Sequence, residues 1–534
     1  MRRTVPALCA LGASLLVAAS PAYGQGRGNA DPLPPPAGAT KNVEYFDNLP
    51  EARYATAINF LKFQKSELYG GKSKGRVDVM LVTGRFGLKT YSLLDPAHPE
   101  FLGEVTAEDL RLPGDPAVKM DSPQQSTFWQ NEDMDVDDDR RLAMLSRDPR
   151  AYRGSTSREP GEPDPNGATN IAGVYIIDVA DPRDPSIRTF EQLPTGHTTT
   201  CVNDCQFLWT GGPASTTQDV AEGWTFGRPI IVTDLTDPDN PVGHTLDPVD
   251  LFRRDGVTAY SHDVDVDAMG IAWVSGDGGT RGYWTEGEHL DPLTGEVRVA
   301  TPLDPIPYGG GGLTADVVGD EDGGFEHNAI RPVGETAPSG DARYAAGELL
   351  LSTEEDFGPA AEACSKRGQF AISSLAGSYD GEAWKSTPED KFRLETVGTW
   401  NPFQKEGSRP TPTGSCSAHY FDLDGSIVSY AWYAEGTRFL DISDPENPVQ
   451  VAYWRPNDTN VWAAENHRGF IYTSDANRGV DVLRLKATAS IAGKRGREVS
   501  APAMSKRQLA RVARAAKQWK ADPATAGLCL LRVA

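Results

Sequence analysis

Apolar and polar residues alternate in short stretches along this chain, and the clearest stretch is Ser261–Asp267, with the sequence SHDVDVD. A turn of small residues follows, and then a second apolar run, Ile271–Val274. Alternation with a period of two is typical of a strand with one buried face, so the pair predicts a β-hairpin. The segment Asn131–Asp137, NEDMDVD, is nearly the same string, which indicates that the hairpin is part of a repeat.

The repeated strands begin with a glutamate or a histidine at a regular spacing. Glu132, His197, His262 and His327 follow one another at intervals of 65 residues, and His419 comes 92 residues later. The polar tract from about residue 355 to residue 391 can absorb the longer interval. A fixed period of this size indicates one structural unit that is repeated along the chain.

A second repeated feature is a β-branched strand that is followed by an Asp-Pro turn and another proline. Proline presets such a turn and has no N–H group to donate to a sheet. Four copies are present, at Tyr91–Pro99, Val174–Pro185, Ile230–Pro241 and Arg438–Pro448. These strings resemble the LVIVD-repeat family of secreted proteins over roughly residues 43 to 485. The resemblance implies a β-propeller built from four-stranded units.

The length of the repeat region independently predicts an all-β fold, a seven-bladed β-propeller. Residues 42–485 contain close to seven periods of 65 residues. Radial closure of four-stranded sheets removes most exposed sheet edges, which favours this arrangement. The last unit, Val461–Leu485, is short, so we expect a strand near the N-terminus to complete it.

The repeated position at the start of each unit is the candidate functional site. The first strand of every propeller blade lines the central channel, so residues at one register position form a ring around the axis. The predicted ring consists of Glu132, His197, His262, His327 and His419. Neutral imidazoles together with a carboxylate suit copper, iron or zinc. A water-filled polar ring and a site for an organic anion are the alternatives that the spacing leaves open.

Three further acidic residues are candidates to hold the histidine tautomers from outside the ring. Asp263 follows His262 directly, and Glu354 and Glu355 lie near the end of a strand in the fifth unit. Carboxylates in such positions commonly fix the orientation of metal-binding histidines. The glycine run at 309–312 follows no strand-to-helix junction, so we expect no nucleotide cofactor.

Two better-characterised propeller classes have a comparable axial site. Carotenoid-cleaving oxygenases hold iron with four histidines, and selenium-binding proteins with methanethiol oxidase activity have histidine-rich metal sites. The chain is similar to both in architecture and in ring composition. No reaction follows from this similarity alone; from the ring residues themselves we expect a metal-dependent oxidoreductase, using copper or iron, that acts on an unknown small molecule. The alternative is a non-catalytic extracellular scaffold whose long loops bind a cell-surface partner.

Clusters of aspartate accompany three of the repeated strands, at residues 133–139, 263–267 and 422–424. They resemble calcium loops only superficially, because the twelve-residue helix–loop–helix pattern is absent. We therefore expect these side chains in turns and on blade surfaces.

The two ends of the chain differ from the repeat region. Residues 1–24 have the features of a signal peptide, residues 25–41 those of a disordered linker, and no later stretch is apolar enough to span a membrane. We therefore expect an extracytoplasmic protein. Residues 486–534 form a basic tail with a predicted helix at about 505–520, which can dock on the protein's own acidic surface or on an anionic envelope. The net charge of −23 argues against nucleic acid as a partner.

Five cysteines remain once the predicted signal peptide is removed, and an exported protein can keep disulfides. Cys201 and Cys205 flank a three-residue turn and can clip one hairpin. Cys364 and Cys416 are a second candidate pair, which would connect the long insertion to the next repeat. Cys529 is then the odd cysteine.

Overall fold

The structure is a computed structural model, and the part of the chain that it describes consists of many segments. These are residues 38–120, 126–129, 131–153, 171–212, 230–245, 253–254, 257–258, 261–276, 279–291, 294–308, 319–320, 326–332, 347–355, 368–375, 394–402, 418–486 and 497–499. The signal peptide, the linker up to residue 37, the predicted helix at 505–520, Cys364, Cys416 and Cys529 lie outside these residues. No helix in the described segments is long and apolar enough to cross a membrane.

The described strands form seven antiparallel sheets that follow one another along the chain, which confirms the seven-bladed propeller. We number them blades 1 to 7 and give the strands of each from first to last. Blade 1 contains Ala55–Gln64, Arg76–Gly84, Gly87–Ser92 and Glu100–Thr106. Blade 2 contains Met134–Asp137, Leu142–Arg147, Ala172–Asp178 and Ser186–Leu193. Blade 3 contains Thr198–Val202, Phe207–Gly211, Ile231–Asp234 and Val242–Thr245.

The remaining blades repeat the arrangement with different loop lengths. Blade 4 contains Ser261–Val266, Ile271–Gly276, Gly279–Trp284 and, both paired with the third strand, Ile306–Pro307 and Gly319–Asp320. Blade 5 contains Glu326–Ile330, Leu349–Glu354, Phe370–Ser374 and Glu395–Trp400. Blade 6 contains Phe421–Asp424, Ile427–Ala431, Thr437–Asp441 and Val449–Trp454. Blade 7 contains Val461–His467, Phe470–Asp475, Gly479–Leu485 and Val43–Leu49.

Smaller elements lie in the connections between strands, both within blades and between them. A short α-helix spans Lys65–Tyr69, and 3-10 turns span Pro50–Ala52 and Ala151–Arg153. Two-stranded hairpins are formed by Arg253–Arg254 with Val257–Thr258 and by Glu288–Leu290 with Val297–Val299.

The propeller closes with a strand from the N-terminal side, as the short last repeat predicted. Val43–Leu49 pairs antiparallel with Gly479–Leu485 and becomes the fourth strand of blade 7. The first complete blade therefore begins at Ala55. This pairing connects the first and last blades through backbone hydrogen bonds, so the ring has no exposed seam between its ends.

Alternate side chains of each blade pack on opposite neighbours, which is why the strands are apolar on both faces. In blade 1, Val79 and Leu81 pack toward blade 2, while Met80 and Val82 pack toward blade 7. The described residues form seven such buried clusters, one between every pair of adjacent blades. Successive residues of a strand point to opposite faces of the sheet. One continuous apolar run therefore packs against both neighbouring blades.

The Asp-Pro turns dock on the outer strand of the preceding blade, which gives the repeated motif a packing role. A Cβ atom at Gly398 would lie 1.9 Å from the carbonyl oxygen of Pro445, and one at Gly103 would lie 2.5 Å from that of Arg183. The hydroxyl of Thr90 also donates to the carbonyl of Pro182, at 2.5 Å. Glycine is therefore required on the strand where the neighbouring turn approaches the backbone.

A disulfide joins Cys201 to Cys205 across the first hairpin of blade 3, as predicted. Of the three residues between them, Asn203 and Asp204 have φ angles of 50° and 49°, in the left-handed region where asparagine and aspartate are most readily accommodated.

Candidate metal centre

The five predicted ring residues come together at the propeller axis, and all five are completely buried. His262 and His327 lie at β-bulges, where the strand register shifts between Ser261 and Asp263 and between Glu326 and Asn328. A bulge re-aims one side chain out of the regular alternation. The same irregularity recurs in blades 1 and 7, so it is a shared device for directing a residue toward the axis.

One carboxylate oxygen lies close to all four ring imidazoles. Glu132 Oε2 is 3.2 Å from the Nε2 atom of His197, 3.4 Å from those of His262 and His419, and 3.6 Å from that of His327. The Nε2 atoms of His197 and His262 are 3.1 Å apart. The four imidazoles follow one another around the axis, with centroid separations of 4.9, 4.2 and 4.0 Å between successive rings.

Backbone carbonyls of the next blade fix the tautomers of two ring histidines. His262 Nδ1 is 2.9 Å from the carbonyl oxygen of His327, and His419 Nδ1 is 2.7 Å from that of Trp462. A carbonyl only accepts, so each Nδ1 carries the proton and the neutral ring presents the Nε2 lone pair to the axis.

The outer ring nitrogen of His197 instead contacts the carboxylate of Asp148, which we did not predict from the sequence. Its Nδ1 is 2.9 Å from Asp148 Oδ2, and Asp148 also accepts hydrogen bonds from Arg150, at 2.7 and 2.8 Å. A carboxylate that accepts from the outer ring nitrogen orients a histidine and increases its basicity toward a metal. Nothing in the sequence around Asp148 distinguishes it from the other Asp-Pro turns.

The ring electrostatics separate the histidines. Burial lowers the pKa of His197, but the charges of Glu132 and Asp148 outweigh this effect and raise that pKa to about 9. Burial and the charge of His197 lower the pKa of His262 to about 4, although Glu132 opposes them, and burial with the neighbouring histidines lowers the pKa of His327 well below its ordinary value. The imidazoles hold the pKa of Glu132 well below its ordinary value even though burial raises it. Glu132 is thus ionised, and His262 and His327 are neutral, at pH 7.

The donor atoms have the spacing of a single coordination shell. With metal–nitrogen bonds near 2.1 Å, neighbouring donors in a shell are about 3.0 to 3.4 Å apart. The separations between Glu132 Oε2 and the four Nε2 atoms, 3.2 to 3.6 Å, are close to this range. Groups of three that include Glu132 with His197 and His262, or with His327 and His419, have ligand atoms within 4.8 Å of one another. These clusters are therefore able to hold a metal ion.

The three predicted outer partners occupy different surroundings. Glu355 Oε2 is 3.9 Å from His327 Nε2, and Glu355 Oε1 accepts a hydrogen bond from the hydroxyl of Tyr433. Glu354 accepts from the backbone N–H of Gly368, at 2.9 Å. Asp263 lines a cavity beside the ring, while a carbonyl takes the position at His262 Nδ1 that we predicted for it.

Two further positions complete the ring in the blades without a histidine or glutamate. Thr56 of blade 1 and Trp462 of blade 7 lie at the corresponding bulges and are fully buried. They follow intervals of 76 and 43 residues rather than 65, so the spacing that revealed the histidines did not reveal them. Trp462 packs on His419, with 4.7 Å between ring centroids.

The predicted surface position of the aspartate clusters is wrong for five of their members. Asp133, Asp135, Asp263, Asp265 and Asp422 line the cavity on the propeller axis, together with Glu132. The predicted alternation of side chains between the two faces of these strands is correct. The face of the inner strand that we assigned to the surface, however, is the face that turns toward the channel. Asp137 and Asp267 do lie in turns, where they accept backbone hydrogen bonds.

Comparison with known proteins assigns the chain to no family. No family profile matches the chain, and no curated protein matches it. Among solved structures, the chain is similar to the β-propeller domain of Cps50 (Swd1) from Myceliophteria thermophila, with 8% identity and a TM-score of 0.41. That match covers 82% of this chain and 98% of the other. The LVIVD-repeat resemblance stays a prediction.

Proposed function

We propose that the axial ring binds one copper or iron ion and that the protein is a metal-dependent oxidoreductase. The observation that carries the proposal is the position of Glu132 Oε2, between 3.2 and 3.6 Å from four buried Nε2 atoms. Imidazole suits copper, iron and zinc alike, and of these copper and iron supply one-electron chemistry.

The protein residues around the ring have distinct parts in this proposal. The carbonyl oxygens of His327 and Trp462 and the carboxylate of Asp148 hold the outer nitrogens, so that the inner nitrogens remain available as ligands. Glu132 is the ring residue that also lines the adjacent cavity, where it is placed to bind a ligand or to accept a proton. A catalytic metal needs one position for substrate, and the cavity is the side from which substrate would approach.

Metal analysis of purified protein tests this proposal, with His262→Ala as the site variant and His98→Ala as the matched control. His98 is exposed, contacts Asp47 and is not one of the ring residues. We expect about one copper or iron per chain in the wild type and in His98→Ala, and at least a tenfold loss in His262→Ala with an unchanged β-sheet circular dichroism spectrum. The bound metal should also be reduced and reoxidised reversibly.

Two outcomes contradict the proposal. Equal metal content in His262→Ala would mean that the metal lies elsewhere. Zinc alone, or protein that takes up no metal during expression with copper and iron supplied, would remove the redox function and favour a non-catalytic binding propeller.

A further inference from the structure

A cavity of about 260 Å³ lies on the propeller axis beside the metal-site residues. All seven blades contribute polar or acidic residues to its walls, and Glu132 connects it to the histidine ring. Seven of its described lining residues are acidic, among them Glu132, Asp265 and Glu465, and none of the described lining residues is Lys, Arg or His.

The carboxylates form two layers along the inner strands. Asp133 and Asp263 lie one residue beyond the ring position, and Asp135, Asp265 and Asp422 lie three residues beyond it. Two residues along a strand span about 6.7 Å. The cavity therefore presents carboxylate groups at two levels that are separated by roughly this distance.

No cationic side chain of the described residues forms an ion pair with these carboxylates, and their hydrogen-bond donors are uncharged. Asp135 accepts from the backbone N–H groups of Val136 and Cys201, each at 2.7 Å. Asp422 accepts from those of Leu423 and Asn466, at 2.6 and 2.7 Å. The described part of the protein therefore supplies no charged partner to these carboxylates.

Asp263 is the second and independent sign of a ligand. Its side chain lines the cavity and is 5% exposed, and its buried Oδ1 atom has no hydrogen-bond partner. Burying a carboxylate oxygen without a hydrogen-bond partner destabilises the folded state because the oxygen loses its water. A donor group of a bound molecule would supply the missing hydrogen bond.

The electrostatics of the more distant carboxylates agree with this geometry. Burial, together with Asp267, Asp135 and Asp422, raises the pKa of Asp265 to about 7. Burial, with Asp422 and Asp133, raises the pKa of Glu465 well above its ordinary value. Mutual repulsion of this kind is relieved when a cation binds between the groups.

The walls fit an organic cation better than a bare metal ion. Calcium takes six to eight oxygen ligands that converge at 2.3–2.6 Å. In the described part of the chain, every group of three residues with ligand atoms within 4.8 Å contains ring histidines, and none draws on the cavity aspartates. The lining also includes Ile58, Val264 and Ile330, which offer an apolar surface to an alkyl chain.

We propose that the axial cavity binds a small aliphatic diamine, with one ammonium group at each carboxylate layer and the alkyl chain against the apolar wall. The nitrogens of extended 1,4-diaminobutane are about 6 Å apart by standard bond lengths, which matches the spacing of the layers. The inference rests on the proposed function only where it makes this ligand the candidate substrate, because binding itself uses carboxylates and needs no metal.

Isothermal titration calorimetry with the purified full chain tests the proposal, using 1,4-diaminobutane as the probe and neutral 1,4-butanediol as the matched ligand. We expect one diamine per chain and no binding of the diol. Asp265→Asn and Glu465→Gln should each weaken binding at least tenfold, while Asp239→Asn, on the surface, should leave it unchanged. His262→Ala should still bind the diamine even if it has lost the metal, so this outcome is independent of the metal test.

Three results would overturn the proposal. The first is the absence of diamine binding to correctly folded protein. The second is binding that Asp265→Asn and Glu465→Gln leave unchanged. The third is stoichiometric binding of calcium with no response to the diamine, which would make the cavity a site for a divalent cation.

Discussion

Replacement of Asp265 by asparagine should stabilise the metal-free and ligand-free protein at alkaline pH. Burial and three neighbouring carboxylates raise the pKa of Asp265 from its ordinary 3.8 to about 7. The folded state therefore holds the proton more tightly than the unfolded state. The protonated Asp265 side chain therefore makes its full contribution to the free energy of unfolding below about pH 3.8, and this contribution is lost as the pH rises through 7.

The magnitude follows from the size of this pKa difference. One pKa unit corresponds to about 1.36 kcal/mol, so the ionised carboxylate destabilises the fold by roughly 4 kcal/mol at pH 8. Unfolding entropy is about 2.1 cal/mol/K per residue, or roughly 0.9 kcal/mol/K for a propeller of about 450 residues. Asp265→Asn should therefore raise the melting temperature by about 4 °C at pH 8 and leave it nearly unchanged at pH 4.

Scanning calorimetry of the wild type, Asp265→Asn and Asp239→Asn from pH 4 to pH 8 measures the effect. Asp239 is exposed, and Arg188 lowers its pKa, so its replacement should not raise the melting temperature at any pH. Two results would show that the ionised Asp265 does not destabilise the fold. One is an Asp265→Asn variant that melts below the wild type at pH 8, and the other is a difference in melting temperature that does not change with pH.

Three other substitutions test the scaffold by thermal unfolding. Cys201→Ser opens a small disulfide loop and should lower the stability by about 2 kcal/mol, whereas equal melting of the variant and the wild type would show that the crosslink is dispensable. Gly398→Ala places a Cβ atom 1.9 Å from the carbonyl oxygen of Pro445; we expect a marked loss of stability, and an unchanged melting temperature would contradict the close docking of the two blades. Asp115→Ala removes the carboxylate whose two oxygens both accept from Nη2 of the buried Arg147, at 2.8 and 2.9 Å, so we expect a loss of about 3–5 kcal/mol and would abandon this explanation if the loss were below about 1 kcal/mol.

The blades and the ring could be predicted because both depend on sequence periodicity. Strand alternation identified the hairpins, and the 65-residue interval put His197, His262 and His327 at one register position. Register is preserved in a closed propeller because each blade packs on two neighbours, so equal spacing in sequence becomes equal depth along the axis.

Other parts of the site depend on contacts that no spacing reveals. Asp148 reaches His197 from a turn in the preceding blade, and the tautomers of His262 and His419 are set by backbone carbonyls, which carry no residue signature. The cavity aspartates were misplaced because alternation identifies two faces of a strand but does not say which face meets the axis. A β-bulge beside the ring residue changes that relation.

Anomalous X-ray diffraction from crystals of the metal-loaded protein is the most direct test of whether the axial ring binds a metal ion. Data collected on both sides of the copper and iron absorption edges locate the metal and identify it. We predict one anomalous peak on the propeller axis, about 2.0–2.2 Å from the Nε2 atoms of the ring histidines. A peak located elsewhere, or loaded protein with no peak within bonding distance of these nitrogens, would contradict this prediction.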